Sequence, residues 1–337
     1  MNTVTGGTGL LGAHLLFHLL QKVEKVRALK RKDSSLKLVK RVFSWYTNDP
    51  ESLLSKIEWV DGDILDIFSL EKLFDGAQNV FHTAARVSFD KNDRELLLKA
   101  NIEGTANVVN VLLEMKDVKL CHVSSIGAFG RVSDRKKLIT EKTHFSTSEN
   151  PSVYSISKYE SEREVWRGIV EGLDAVIVNP SIILGPGNWN KGSSKLFTTV
   201  YKSLNFYTGG ENGFVDVNDL AKIMIRLMES DISGEQFIVS AENVTYWQFF
   251  QWMAEALKVK PPEKKAGKLL SSLTWRALKV KELVTGEKSS ITRETAQTAQ
   301  QIYRYDNSKL LKTIDFKYTP IKQTIQKTAT IFLREHA

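Results

Sequence analysis

The chain has 337 residues, 42% of them hydrophobic and 26% charged, the balance of a folded soluble protein long enough for two lobes. A single cysteine, Cys121, excludes a disulfide framework and a cysteine-built metal site, and no apolar run is long enough to span a bilayer. The net charge of +8 is spread along the length, with clusters only near Lys30 to Lys32, Arg135 to Lys137 and Lys258 to Lys268, so it reads as solvated surface and argues against a nucleic-acid partner. The chain enters its first motif at once, which leaves no room for a signal peptide and makes a reducing cytoplasm the expected setting.

That motif is Thr5-Gly6-Gly7-Thr8-Gly9-Leu10-Leu11-Gly12, between a stub of strand and the apolar helical run Leu15, Leu16, Phe17, Leu19 and Leu20. A glycine-rich turn between strand and helix lets the backbone close on a pyrophosphate, whose charge sits among the unpaired N–H groups of the helix. Gly7, Gly9 and Gly12 satisfy G-x-G-x-x-G, while Gly6, Gly9 and Gly12 satisfy T-G-x-x-G-x-x-G, so spacing leaves open which glycines make the turn.

Further along, Val26 to Leu29 reads as a strand, Leu36 to Phe43 as a helix, and Ile57 to Val60 and Asn79 to Thr83 as strands. Arg94 to Glu114 has helical spacing, Val118 to Ser124 is a strand, and a long helix from about Val153 to Val170 leads into the strand Asp174 to Pro180. This alternation predicts an α/β fold, a doubly wound parallel sheet of the Rossmann kind whose site lies at the carboxyl ends of its strands. After Pro180 the pattern breaks into the turn-rich loop Gly185 to Gly192. Apolar periodicity returns over Val215 to Met228, and Gln236 to Ser240 is a candidate edge strand. The remainder is mostly helical, with Trp247, Phe249, Phe250, Trp252 and Met253 as a small-lobe core. The expected division is a dinucleotide domain over 1–178, with 214–240 returning to it, and a smaller substrate lobe from 179–213 and 241–337.

Tyr154 and Lys158 stand one turn apart on one face of the long helix. An ammonium beside a phenol of ordinary pKa near 10 lowers it, which makes Tyr154 a candidate proton donor. Upstream, Ser124 and Ser125 end a strand at the carboxyl edge of the sheet.

Taken together, these residues resemble an extended short-chain dehydrogenase/reductase of the NAD-dependent epimerase/dehydratase superfamily, nearest to reductases of the dihydroflavonol and 3β-hydroxysteroid dehydrogenase kind. The ordered matches also include Gly62-Asp63-Ile64, His82-Thr83-Ala84-Ala85, Asn101 to Thr105, Asn179-Pro180-Ser181, Gly185-Pro186-Gly187 and Phe214 to Val217. The resemblance implies that Tyr154 exchanges a proton with the substrate oxygen, that Lys158 lowers its pKa and holds the ribose, and that Ser125 polarises that oxygen. It also implies a cofactor path along Gly6, Gly9, Leu10, Leu11, Gly12, Ala84, Ala85, Asn179 and Pro180, with Asp63 and Ile64 flanking adenine, and a homodimer as a common assembly. Among the neighbours, Ser124 is expected to buttress the strand end, Asn101 to pin backbone, and His82 to be a buried strand residue.

Members that use NAD carry an acid at the end of the second strand. Here Lys30 and Arg31 hold that place, with Lys37 further on, so NADP(H) is preferred and NAD(H) remains possible, Asp33 being its one nearby carboxylate. Dehydratases place acids directly after the catalytic hydroxyl, where this chain has Ile126 and Gly127. Many sugar epimerases place an arginine before the strand that here starts at Gly213, where this chain has Glu211 and Asn212. The expected activity is reduction of an aldehyde or ketone on a small molecule bound by Val87, Phe89, Phe129, Trp189, Phe206 and Tyr207. A nucleotide-sugar epimerase with tightly bound NAD is the alternative, and a non-catalytic NADP sensor a lesser one. The stretch Lys264 to Lys281 reads as an amphipathic helix of the small lobe with a basic outer face.

Overall fold

A computed structural model describes residues 1–88, 90–132, 137–147, 151–267 and 298–336. Its strands are β1 (Asn2–Thr5), β2 (Val26–Lys30), β3 (Ile57–Asp61), β4 (Asn79–His82), β5 (Lys119–Val123), β6 (Asp174–Pro180), β7 (Ile182–Leu184), β8 (Phe206–Tyr207), β9 (Glu211–Asp216), β10 (Glu235–Val239), β11 (Glu242–Thr245) and β12 (Lys264–Lys265). Its α-helices are α1 (Leu10–Leu19), α2 (Lys37–Tyr46), α3 (Pro50–Leu54), α4 (Ile67–Phe74), α5 (Arg94–Leu98), α6 (Gly104–Leu113), α7 (Val153–Val170), α8 (Lys195–Tyr201), α9 (Val217–Met228), α10 (Tyr246–Leu257), α11 (Ser308–Thr313) and α12 (Ile321–His336).

Seven strands form one sheet in the order β10-β6-β5-β4-β1-β2-β3, and every neighbouring pair is parallel. A parallel sheet is covered on both faces, so its strands read as near-continuous apolar runs instead of alternating. All five residues of β5 are buried accordingly. One face packs Leu15, Leu16, Phe43 and Met224 of α1, α2 and α9, the other Leu73, Phe74, Val108, Leu112 and Val165 of α4, α6 and α7. The order reverses between β1 and β4, which places the ligand crevice at the carboxyl ends of those strands.

The edge strand expected near Gln236 to Ser240 is β10, parallel to β6. Its open side is blocked by Glu141, whose carboxylate accepts from the Ile238 N–H at 2.9 Å, a cover that leaves no bare edge. The helix expected over Arg94 to Glu114 is interrupted by a π turn, Lys99–Glu103, where Asn101 turns its amide away to other partners.

A second sheet, β11-β9-β7, was not foreseen from the sequence. It packs with α8, α10 and α12 around Phe197, Phe214, Phe249, Met253, Ile325 and Phe332. Of the aromatic cluster, Phe249 and Met253 are fully buried, whereas Trp247 is half exposed. The stretch read as Val215 to Met228 divides at Asp216, whose carboxylate accepts from the Asn218 N–H at 2.7 Å and starts α9. Of the segment Lys264 to Lys281, residues 264–267 are described and the remainder lies outside the described residues; 133–136 likewise remove most of the Arg135 to Lys137 cluster.

Candidate active site

The glycine turn follows β1 directly. Gly6 has φ +72, and a Cβ there would lie 2.6 Å from the Ala84 nitrogen; a Cβ on Gly12 would overlap the Gly6 carbonyl oxygen. Only glycine fits at either position. Gly7 faces the interior toward Leu16, Ala28 and Trp59, while Gly9 meets only the Gly6 oxygen at 3.3 Å and leaves its outer side open. The turn is therefore shaped by Gly6 and Gly12, with Gly9 open on its outer side. Gly9 is the N-cap of α1 and supplies no side chain to its first N–H groups, and Leu10 and Leu11 open that helix. This is a cradle for an anion.

Ala84 sits against the turn, its N–H given to Thr5 Oγ1 at 3.3 Å, and Ala85 follows on the surface. Asp63 accepts from the Leu65 N–H at 3.0 Å and so shapes the loop after β3. Ile64 is buried against Gly104, where close contact of loop and α6 leaves no room for a Cβ.

At the end of β2, Lys30 is paired with Asp61, which removes it from the pair of cations read there. Arg31 is exposed and lies 4.0 Å from Asp33. Lys37 is the first residue of α2, a helix start with no side-chain cap and no acid in its first turn.

Ser125 ends β5 and opens a short 3-10 turn, its Oγ accepting from the Gly127 N–H at 3.0 Å. With a backbone donor on the oxygen, the hydroxyl proton is left for another acceptor. The buried Tyr154 phenol approaches Ser125, whose hydroxyl works to lower its pKa. Tyr154 is placed by the first turn of α7, where Ser152 Oγ accepts from the Ser155 N–H at 2.8 Å. A Cβ on Gly127 would stand 3.2 Å from Ser155 Oγ, a tight contact that a side chain there would have to push aside.

Lys158 is 3% exposed and gives its ammonium to the Val123 carbonyl at 2.7 Å, which docks α7 on the end of β5. Burial lowers its pKa to about 8, against the pull of Glu162. The expected lowering of Tyr154 is not what the structure shows. Burial raises the phenol above its ordinary value and the Ser125 hydroxyl offsets only part, because Lys158 directs its charge to Val123 and Glu162.

Glu162, one turn beyond Lys158, was missed from the sequence. It is 7% exposed, and its Oε2 accepts from Asn179 Nδ2 at 2.7 Å while Oε1 accepts from Trp166 Nε1 at 3.4 Å. The available signal was its spacing, since Tyr154, Lys158 and Glu162 recur every four residues, which is one stripe of a helix. Asn179 also donates to the Ser125 carbonyl at 3.2 Å, so its amide nitrogen braces the strand ends. Pro180 is buried in β6 opposite Val239.

Asn101 pins backbone, its amide accepting from the Arg86 N–H at 2.7 Å and donating to Ser157 Oγ at 2.9 Å. His82 is a buried neutral base held between Thr5 Oγ1 at 2.7 Å and Thr105 Oγ1 at 3.1 Å, with burial pushing its pKa down to about 3.

The expected apolar pocket is dispersed. Trp189 is 5% exposed, packed against Phe197 and Phe332, with its indole N–H given to Glu335 at 2.6 Å. Phe129 is also core, clustered with Ile139, Ile238 and Tyr305. Both are filled by partners distant in sequence. Phe206 and Tyr207 form β8, paired with β12, and Tyr207 lines a separate shallow recess with Trp247 and Lys265. Val87 is exposed after β4, and Phe89 lies outside the described residues. No described helix is long and apolar enough to cross a membrane.

Comparison with known proteins agrees with this architecture. The chain is 31% identical over 256 residues to sterol demethylase protein B of Methylococcus capsulatus, covering 75% of this chain and 73% of that protein. It is 26% identical over 278 residues to dihydroflavonol 4-reductase of Callistephus chinensis, covering 77% and 72% respectively. The solved structure of gox2253 superposes with a TM-score of 0.81 at 27% identity, covering 100% of this chain and 98% of that one. The family model for NAD dependent epimerase/dehydratase proteins matches residues 3–240, from β1 to the end of β10. The chain belongs to the NAD dependent epimerase/dehydratase family, within the extended short-chain dehydrogenase/reductase superfamily of NAD(P)-dependent oxidoreductases.

Proposed function

We propose that this protein is an NADP(H)-dependent reductase of an aldehyde or ketone carbonyl on a small, largely hydrophobic molecule, with Ser125, Tyr154 and Lys158 as its reacting set. The observation that carries this reading is the approach of the buried Tyr154 phenol to Ser125 at the carboxyl end of β5, with the buried Lys158 one turn on. A bound nicotinamide dinucleotide supplies the hydride for a carbonyl carbon. Ser125, its oxygen already accepting from the Gly127 N–H, donates a hydrogen bond to the carbonyl oxygen, keeps its proton, and stabilises the charge that develops there. Tyr154 then delivers its phenolic proton to the same oxygen, and the Lys158 ammonium stabilises the phenolate left behind.

Gly6, Gly9, Leu10, Leu11 and Gly12 would hold the pyrophosphate, which fits the open, uncapped start of α1. Arg31 supports the phosphorylated cofactor, because an exposed guanidinium suits a 2′-phosphate and a carboxylate does not. Lys37 adds a cation at a helix start with no acid in its first turn, a place that favours a bound anion. Residues 179–213 and 241–337 would form the substrate lobe. Two relatives are named for a sterol and a dihydroflavonol, ring systems whose bulk matches an apolar substrate.

The test is to denature the purified protein, identify any released nucleotide by mass spectrometry, and screen carbonyl compounds with NADPH. NADP(H), or an empty site that refills with NADPH, together with oxidation of NADPH by a carbonyl compound supports the reductase. Retained NAD⁺ at near one per chain overturns it in favour of an epimerase that recycles its cofactor.

A further inference from the structure

The buried face of α7 carries a second charged group that the proposed reaction does not use. Ser157, Lys158, Ser161, Glu162 and Val165 are its buried residues, so an ammonium and a carboxylate one turn apart are both withdrawn from water. Burying two charges costs several kcal/mol each unless they compensate one another and find hydrogen bonds.

The surroundings of Lys158 offer little else. Its hydrogen bond goes to the Val123 carbonyl at 2.7 Å. From β4 and β5 it faces His82 and His122, whose rings lie 5.3 Å apart and both of which burial keeps neutral. Neither ring nitrogen of His122 has a hydrogen-bond partner. From its own helix the charge acting on it is Glu162, one turn further along the same buried face. Glu162 is thus the one anion acting on it among the described residues.

The partners of Glu162 are neutral, and burial raises its pKa above the ordinary carboxyl value. Both carboxylate oxygens receive N–H donors, from Asn179 at 2.7 Å and Trp166 at 3.4 Å. The Ser124 hydroxyl faces the carboxylate without reaching hydrogen-bond geometry, and Asn179 Oδ1 has no partner among the described residues. Asn179 is in turn bonded to the Ser125 carbonyl, so the carboxylate is linked mechanically to the residue that carries the reacting hydroxyl.

We propose that Glu162 is a positioning residue, the counter-charge that holds Lys158 as an ammonium beside Tyr154 and ties the ends of β5 and β6 to α7. The proposal rests on the reading of Ser125, Tyr154 and Lys158 as the reacting set, and its test does not need turnover. The whole protein is labelled with ¹³C at lysine Cε, the Lys158 resonance is assigned by its loss in Lys158→Arg, and its titration is followed in Glu162→Gln and Glu162→Asp.

Removal of the charge in Glu162→Gln is expected to lower the Lys158 midpoint by about one pH unit or more, while Glu162→Asp keeps most of the wild-type value. In active enzyme the alkaline limb of kcat/KM shifts down with it in the glutamine variant alone. An unchanged midpoint in Glu162→Gln, or an equal fall in Glu162→Asp, overturns the proposal, since hydrogen bonding and not charge would then be at work. If Glu162→Gln does not fold, the double variant Lys158→Met with Glu162→Gln must fold, because the uncompensated cation is gone; failure of both overturns it. A wild-type protein that titrates as expected yet turns over no carbonyl compound removes the reductase reading and leaves Glu162 as the counter-charge of Lys158.

Discussion

Glu162 and Glu335 are carboxylates in two regions of the molecule, and the contrast between them separates a reacting wall from a structural latch. Glu335, near the end of α12, accepts from Trp189 Nε1 at 2.6 Å and Trp45 Nε1 at 2.8 Å and is paired with Arg41 of α2. Burial works upward on its carboxyl, but Arg41 and the two indoles together hold it below the ordinary range. Burial prevails at Glu162, which has neutral donors and a cation engaged elsewhere, and its pKa is raised. A latch is supplied with its own cation. The carboxylate beside the reacting set has as its cation a group proposed to take part in the chemistry, and so stays poised.

The sharpest way to break this contrast is Tyr154→Phe, which removes one oxygen from the reacting wall. Turnover of a carbonyl substrate is expected to fall by roughly 10³-fold or more, with NADPH affinity and thermal midpoint retained; retained turnover in stopped-flow assays would sink the assignment. Next, Arg31→Ala is expected to weaken NADPH roughly 10- to 100-fold, the worth of a lost charged hydrogen bond pair, and NADH hardly at all. Equal losses in fluorescence titrations would remove the 2′-phosphate argument.

On the latch side, Glu335→Ala is expected to cost about 1–3 kcal/mol in denaturant unfolding while kcat stays near wild type, and a large fall in kcat would show that the latch also shapes the site. The smallest effect concerns the wall behind Lys158. Burial lowers His82 to about 3 and His14 to about 4 from 6.5, so the unfolded chain binds more protons than the folded one across that window. Stability is therefore full above about pH 6.5 and declines as acid is added. His122→Phe is expected to flatten that decline in melting experiments, and an unaltered slope would place the acid sensitivity elsewhere.

Much of the first lobe was legible because it rests on local rules. The turn at Gly6 to Gly12, the strands β2 to β6 and the whole of α7 follow from periodicity and turn chemistry within a few residues. Of the second sheet only the strand at Gly213 was, since β7 and β11 have 3 and 4 residues and show no periodicity of their own. Trp189 shows the same limit in one residue. An aromatic in a loop of glycine, proline and asparagine looks available to a ligand, yet Phe332 and Glu335, far along the chain, close over it.

By itself the sequence determined the parallel sheet, the nucleotide turn and the spacing of Ser125, Tyr154 and Lys158, because each depends on backbone conformation or on one helical turn. Only the tertiary structure decided which glycines form the cradle, that Lys30 is taken by Asp61, that Asn179 braces Ser125, and that Glu162 stands as the buried partner of Lys158. Each of these depends on which residue from elsewhere fills a given space or neutralises a given charge, and that is settled by packing and desolvation in the folded chain.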